Sequence, residues 1–268
     1  MLKIIITALL VLCTALAGAE DVRLGGTGAA LGTMRLQADA FHSINSQSRV
    51  IVLQALGSGG AIKALLAGAI EVAVISRLLS ADEKDHGLVA IDYASTPFIL
   101  ASWPGNPIDG VTVTDLGEFY AAKRTQWPDR TPVRLVLPPA GDIDTKILSG
   151  MSPVLRDAVA VAGKRPGMFL ADTDTEAADL IERTEGSLGP TTLALLLSER
   201  RNAKILKLDG AAPSVKSLAD GGYRLNKRLY LVLAPRAGAG ARGFAAFIQS
   251  SAGRMILERN GQLPTPMR

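Results

Sequence analysis

Three short polar segments each follow an apolar run and precede a helical pattern. They are Gly26-Thr27-Gly28-Ala29, Gly57-Ser58-Gly59-Gly60 and Ala140-Gly141-Asp142. At such a junction the first backbone N–H groups of the helix lack internal partners, and the helix dipole favours negative charge beyond them. Glycine lets an anion approach the backbone closely, and Ser or Thr adds a hydroxyl donor. A third apolar run ends in Ser76-Arg77, which brings a hydroxyl and a permanently charged, planar fork of donors. Reversible capture of an oxyanion is the chemistry these residue types suit. Simpler roles fit the same residues: Thr27, Ser58 and Asp142 as helix caps, the Gly-Ser-Gly-Gly run as a tight turn, Arg77 as a solvated strand end.

Other chemistries fail on spacing. Gly26 to Gly32 resembles a dinucleotide-binding turn, but the following strand ends near Gln54 without the acidic residue that would hold a ribose. Lys63 is not followed by Ser or Thr, so Gly57 to Lys63 is no P-loop. The two histidines, His42 and His86, are scattered, and the one cysteine, Cys13, falls in the leader described below. No nucleophile, base and orienting group can be assembled from these, so the sequence predicts a protein that is not an enzyme and needs no cofactor or metal.

The elements that must position these segments alternate strand and helix, the pattern of an α/β sheet with crossover helices. Short strands are predicted at 22–24, 50–53 and 72–75. The helix between the first two carries Leu31, Met34, Ala38, Phe41 and Ile44 at helical spacing, and Gly68 ends the next helix. Residues 88–103 read as two further extended segments, closed by the turn Pro104-Gly105-Asn106-Pro107. From there the composition shifts towards Asp, Thr and Arg, predicting a second lobe over 103–226. It holds helices near 115–120, from Asp142, over 175–183 and over 193–201, and a strand at 133–137. The apolar run Leu229 to Leu233 is a buried strand that returns the chain to a first lobe of residues 20–102 and 227–268. The Ala-Gly run at 237–241 reads as a loop before two closing helices.

The first residues read as an export signal. Lys3 is followed by an apolar run from Ile4 to Leu12, too short to span a bilayer, and Ala17-Gly18-Ala19 offers a cleavage site before Glu20. A lipoprotein signal at Cys13 is the rival, although the small residues that should precede such a cysteine are missing. An uncleaved anchor fits less well, because the apolar stretch ends at Gly18. Cleavage would leave 249 residues without cysteine, suited to an oxidising compartment such as the periplasm. With 48% hydrophobic and 20% charged residues the chain is globular. Its net charge of +4 comes with only 4% aromatics and no basic stripe, so nucleic acid is not an expected partner.

In order and spacing, several segments resemble the phosphate-binding subunits of ABC importers. They are Thr27-Gly28-Ala29, Gly57-Ser58-Gly59-Gly60-Ala61-Ile62-Lys63, Ala73-Val74-Ile75-Ser76-Arg77, Asp115-Leu116-Gly117-Glu118-Phe119-Tyr120, Gln126-Trp127-Pro128, Gly186-Ser187-Leu188-Gly189 and Arg228-Leu229-Tyr230-Leu231. The resemblance covers nearly the whole chain after the leader. It implies the two-lobed type II periplasmic binding-protein fold: two central sheets flanked by helices, two crossing hinge strands, and a ligand between lobes that close on it. It also implies a monomer that hands its ligand to a permease. Carried over by position, Thr27, Gly28, Ala29, Ser58, Gly59, Ser76 and Arg77 would bind from the first lobe, and Gly141 and Asp142 from the second. Two departures stand out. Pro138-Pro139 replaces donors in the third loop, since proline has no N–H, and Arg77 stands where the family has a proton-accepting aspartate. The altered third loop keeps a second expectation open: a sensor or interaction module with weak or no anion binding.

Overall fold

The computed structural model describes residues 20–266; the expected leader, 1–19 with Cys13, lies outside the described residues. The first half of the chain contains β1 (Glu20–Gly26), α1 (Gly28–Ile44), β2 (Ser48–Ala55), α2 (Gly57–Leu66), β3 (Val72–Ile75), α3 (Ala81–Asp85), β4 (Ala90–Ser102), β5 (Gly110–Val111) and α4 (Val113–Tyr120). Then come β6 (Arg134–Leu137), α5 (Ile143–Gly150), α6 (Pro153–Ala162), β7 (Phe169–Leu170), α7 (Asp174–Arg183), β8 (Ser187–Thr192), α8 (Leu193–Ser198) and β9 (Lys204–Leu208). The chain closes with α9 (Val215–Ala219), β10 (Asn226–Leu233), α10 (Ala239–Gln249), α11 (Ser251–Arg259) and β11 (Leu263–Pro264).

The molecule has two lobes, each a sheet flanked by helices on both faces. In lobe 1 the strand order is β2-β1-β3-β10-β4, with β1 to β3 parallel and β10 antiparallel to both neighbours. Successive side chains of a strand point to opposite faces, and the core divides accordingly. Val72, Val74, Leu229 and Leu231 pack with α1, α10 and α11 on one face. Ala73, Ile75, Tyr230 and Val232 pack with Ile62 and Leu65 of α2 on the other. Lobe 2 repeats the pattern around β4-β8-β6-β7. Phe98, Leu100, Leu135 and Leu137 face α4, α5 and α6, while Ile99, Ala101 and Val136 face α7 and α8.

Residues 88–103, read from sequence as two extended segments, instead contribute one 13-residue strand. β4 pairs with β10 up to Pro97, and from Phe98 onward with β8 and β9 of the other lobe. Pro97 sits where the ladder changes partner and a missing N–H does least harm. The chain crosses back just ahead of β10, where Phe98 N–H donates to Leu225 O at 3.1 Å. Two helices depart from the sequence reading. α6, which the sequence reading did not include, starts with Ser152 accepting from Leu155 N–H and with Pro153 in the first turn. The 237–241 run is partly helical, with Gly238 as the N-cap of α10. Among the described residues no helix is long and apolar enough to cross a membrane.

Candidate functional site

Lobe 1 presents the N-termini of α1 and α2 at the cleft. Thr27 is the N-cap of α1 and is buried, yet its hydroxyl makes no bond to its own helix. It donates instead to Asp174 Oδ2 of lobe 2, at 2.7 Å. The Gly57-Ser58-Gly59-Gly60 run is itself the first turn of α2. Ser58 does not cap that helix either. Its Oγ accepts from Ser76 N–H at 3.0 Å and lies 3.2 Å from Ser76 Oγ, so the end of β3 and the start of α2 are tied into one donor pair.

Lobe 2 answers with the N-termini of α5 and α7. Asp142 caps α5, accepting from Asp144 N–H at 2.8 Å, so the helix-cap role holds for this residue. Thr173 caps α7, accepting from Glu176 N–H at 3.2 Å. Asp144 and Asp174, each in the first turn of its helix, both meet one lysine. Lys227 Nζ, from the start of β10, lies 2.5 Å from Asp144 Oδ1 and 2.5 Å from Asp174 Oδ1. All three side chains are almost sealed from solvent, at 1%, 6% and 11% exposure.

Two carboxylates share one ammonium, and they respond differently. Burial pushes the Asp144 carboxyl up to about 7; Lys227 opposes the rise, and the charges of Asp174 and Asp142 reinforce it. Burial would also raise Asp174, but Lys227, the Thr27 hydroxyl and the Ala29 N–H outweigh it and hold this carboxyl below its usual range. Burial works against the Lys227 charge too, and the two aspartates more than offset it, so its pKa rises. Asp174 is therefore the firmly ionised member, and Asp144 titrates near neutrality.

Thr27, Ser58, Ser76 and Asp142 line the same cleft between the lobes, together with Gly57 and the Pro138-Pro139 turn. Enclosed space amounts to about 20 Å³, room for about one water molecule. Gly28 is pressed against the start of α7, and Ala29, the next residue of α1, is buried and not part of the cleft wall. The remaining candidates lie elsewhere. Gly59 and Gly141 are exposed and not part of the cleft wall. Arg77, the guanidinium expected beside Ser76, points at Glu83, with Nη1 and Nη2 at 2.7 and 2.6 Å from its two oxygens. That carboxyl also accepts from Ser80 N–H in the capping box of α3, and the Arg77 bonds help bring it down to about 2. Arg77 anchors a helix start outside the cleft.

Sequence reasoning missed Lys227, Asp144 and Asp174. Lys227 precedes an apolar run beside Asn226 and Arg228, where a charge reads as a solvated strand end. Asp174 lies in Asp172-Thr173-Asp174-Thr175-Glu176, which reads as an ordinary acidic helix start. Two first-turn acids in lobe 2 and one lysine inside a hinge strand were the available signal. Among the described residues no cluster of His, Cys, Asp or Glu is arranged to hold a metal ion.

Solved structures share this fold. A putative phosphate ABC transporter substrate-binding protein from Clostridium perfringens, described with bound phosphate, aligns at TM-score 0.77 and 18% identity, covering 92% of this chain and all of that one. A phosphate-binding protein from Stenotrophomonas maltophilia aligns at TM-score 0.68 and 14% identity, covering 92% and 91%. The substrate-binding domain of a putative molybdenum ABC transporter from Clostridium difficile aligns at 0.57 and 12%, covering 92% and 100%. At these identities the likeness establishes the fold. No curated protein matches the sequence. Residues 14–252 match the family model described as the PBP superfamily domain, so with its two lobes, crossing strands and inter-lobe cleft the chain belongs to that family.

Proposed function

We propose that this protein is an exported solute-binding protein that captures a small oxyanion, phosphate first among them, and delivers it to an ABC permease without covalent chemistry. One observation carries the proposal: Thr27, Ser58 and Ser76, at the N-termini of α1 and α2 and the end of β3, face lobe 2 across a single cleft. Donors fixed on rigid elements and sealed from water suit a compact anion. Lys227 supplies the positive charge at the back of the site, and Asp144, titrating near 7, can meet an anion as a neutral acid. The likeness to proteins described as phosphate-binding supports phosphate over other oxyanions. In the arrangement seen, the cleft has no room for the anion, so capture requires the lobes to part and close again. The expected leader and the absence of cysteine from residues 20–268 fit a periplasmic location. We assign residues 20–97 and 227–266 to lobe 1 and 98–226 to lobe 2; the boundary expected from sequence after residue 102 moves to Pro97, where β4 changes partner.

Titration calorimetry on the protein from Glu20 onward tests this, with phosphate, sulfate, molybdate and tungstate in turn. Saturable heat with phosphate is the expected result, and silence with all four anions overturns it. A second reading, an exported sensor or interaction module on the same fold, is favoured by the acceptor already in place: the Thr27 hydroxyl and the Lys227 ammonium are both engaged by Asp174. Recovery of a receptor but no permease from membranes would favour that reading.

A further inference from the structure

We infer that Asp174 is a tethered stand-in for the ligand: its carboxylate occupies the oxyanion position at the N-terminus of α1, holds the empty protein closed, and sets ligand affinity by competing for that position. The inference rests on the oxyanion reading above and deepens it. The motivating contacts come from three parts of the chain. Asp174 Oδ2 accepts from the Thr27 hydroxyl, Oδ1 lies 2.5 Å from Lys227 Nζ, and a Cβ added at Gly28, the first residue of α1, would lie 3.0 Å from Asp174 Cβ. A hydroxyl at a helix start and an ammonium are donors a bound oxyanion would use.

Thr27 shows why the position stands open. At Ser152, Thr173, Thr192 and Ser250 the N-cap side chain accepts from its own helix, so the first turn is satisfied locally. Thr27 makes no such bond. Its hydroxyl is turned outward as a donor, and the first N–H groups of α1 are left for an acceptor from elsewhere. The acceptor comes from the other lobe, 147 residues along the chain.

Closure brings the positive ends of α1 and α7 together. A Cβ added at Gly28 would lie 2.6 Å from Thr175 Oγ1 and 2.9 Å from Thr175 N, so the two helix starts are in direct contact. Two such ends oppose one another unless a negative charge lies between them. Asp174 provides it without any solute. With about 20 Å³ left in the cleft, an oxyanion and the Asp174 carboxylate cannot both hold the α1 position. Phosphate then binds only the fraction of molecules in which Asp174 has let go, and its apparent affinity falls in proportion.

Asp174→Asn tests this while keeping the side chain's shape. Calorimetry with inorganic phosphate should show at least about tenfold tighter binding than in the unsubstituted protein, a difference of about 1.4 kcal/mol. Small-angle scattering should show that free D174N is more open and contracts on adding phosphate. The unsubstituted protein should be equally compact with and without phosphate, a measurement that stands even if D174N does not fold. Weaker phosphate binding by D174N makes Asp174 part of the ligand cage and overturns the inference while leaving the oxyanion reading intact. So does an unsubstituted protein that is open when free and contracts on phosphate. Absence of heat in both proteins removes the oxyanion reading and with it the competition. In that case an opened D174N would keep the contact as a latch between lobes, and a D174N as compact as its parent would remove that too.

Discussion

Two cationic groups near the cleft invite comparison. Arg77 and Glu83 sit six residues apart on one edge of lobe 1, with side-chain exposures of 31% and 12%. Lys227 meets partners 53 and 83 residues away in the other lobe and is sealed from solvent. The first pair is local, bidentate and close to water, where a solvent-screened ion pair contributes little. The second has lost nearly all its hydration, so removing the lysine leaves negative charge stranded in a low-dielectric interior. A permanent charge beside a binding motif is therefore poor evidence of a site when a carboxylate a few residues on can absorb it. A lysine inside a buried hinge strand is stronger evidence, because the strand could tolerate it only with partners brought by the fold.

The largest effect that would sharpen this contrast is expected for Lys227→Met. It leaves Asp174 ionised and buried without its counter-charge, and urea unfolding should show a loss of about 3–5 kcal/mol. A loss no greater than that of a surface pair would break the contrast. Next comes the pH response of Asp144. Its folded pKa, about 7, lies above that of an ordinary carboxylate, so its contribution to stability is full in acid and is lost as pH rises through 7. Asp144→Asn should flatten that fall between about pH 4 and 7. Asp174 contributes with the opposite sign, since its lowered pKa gives stability that disappears as the pH drops. An unchanged slope in D144N would assign the titration to another group.

Smaller effects are expected where hydroxyls act. Ser58→Ala takes away the acceptor of Ser76 N–H and should cost about 1–3 kcal/mol of stability while weakening oxyanion binding. Calorimetry alongside denaturation separates the two. The smallest belongs to Arg77→Ala, with no more than about 1 kcal/mol lost and phosphate affinity within about twofold of the parent. A tenfold loss of affinity would return Arg77 to the site and break the comparison outright.

The alternation of apolar strands and amphipathic helices gave the α/β class and the positions of β1, α1, β2, α2 and β3, because each element's side-chain periodicity is local. The same reasoning pointed to Thr27, Ser58, Ser76 and Asp142, since strand-to-helix junctions carry their signature in adjacent residues. It failed for β4, whose Asp, Ser, Thr and Pro residues looked like an interruption until two lobes offered partners to the two halves of one strand. The Glu83 partner of Arg77 was missed for a related reason: a side chain's direction depends on competition among acceptors, and in the structure both oxygens of Glu83 engage the guanidinium. What only the tertiary structure decided was the pairing of Lys227 with Asp144 and Asp174 and the seating of Asp174 on α1. Those contacts join residues 53 to 147 positions apart. Their strength comes from exclusion of water, which no local pattern encodes and which arises when the two lobes meet.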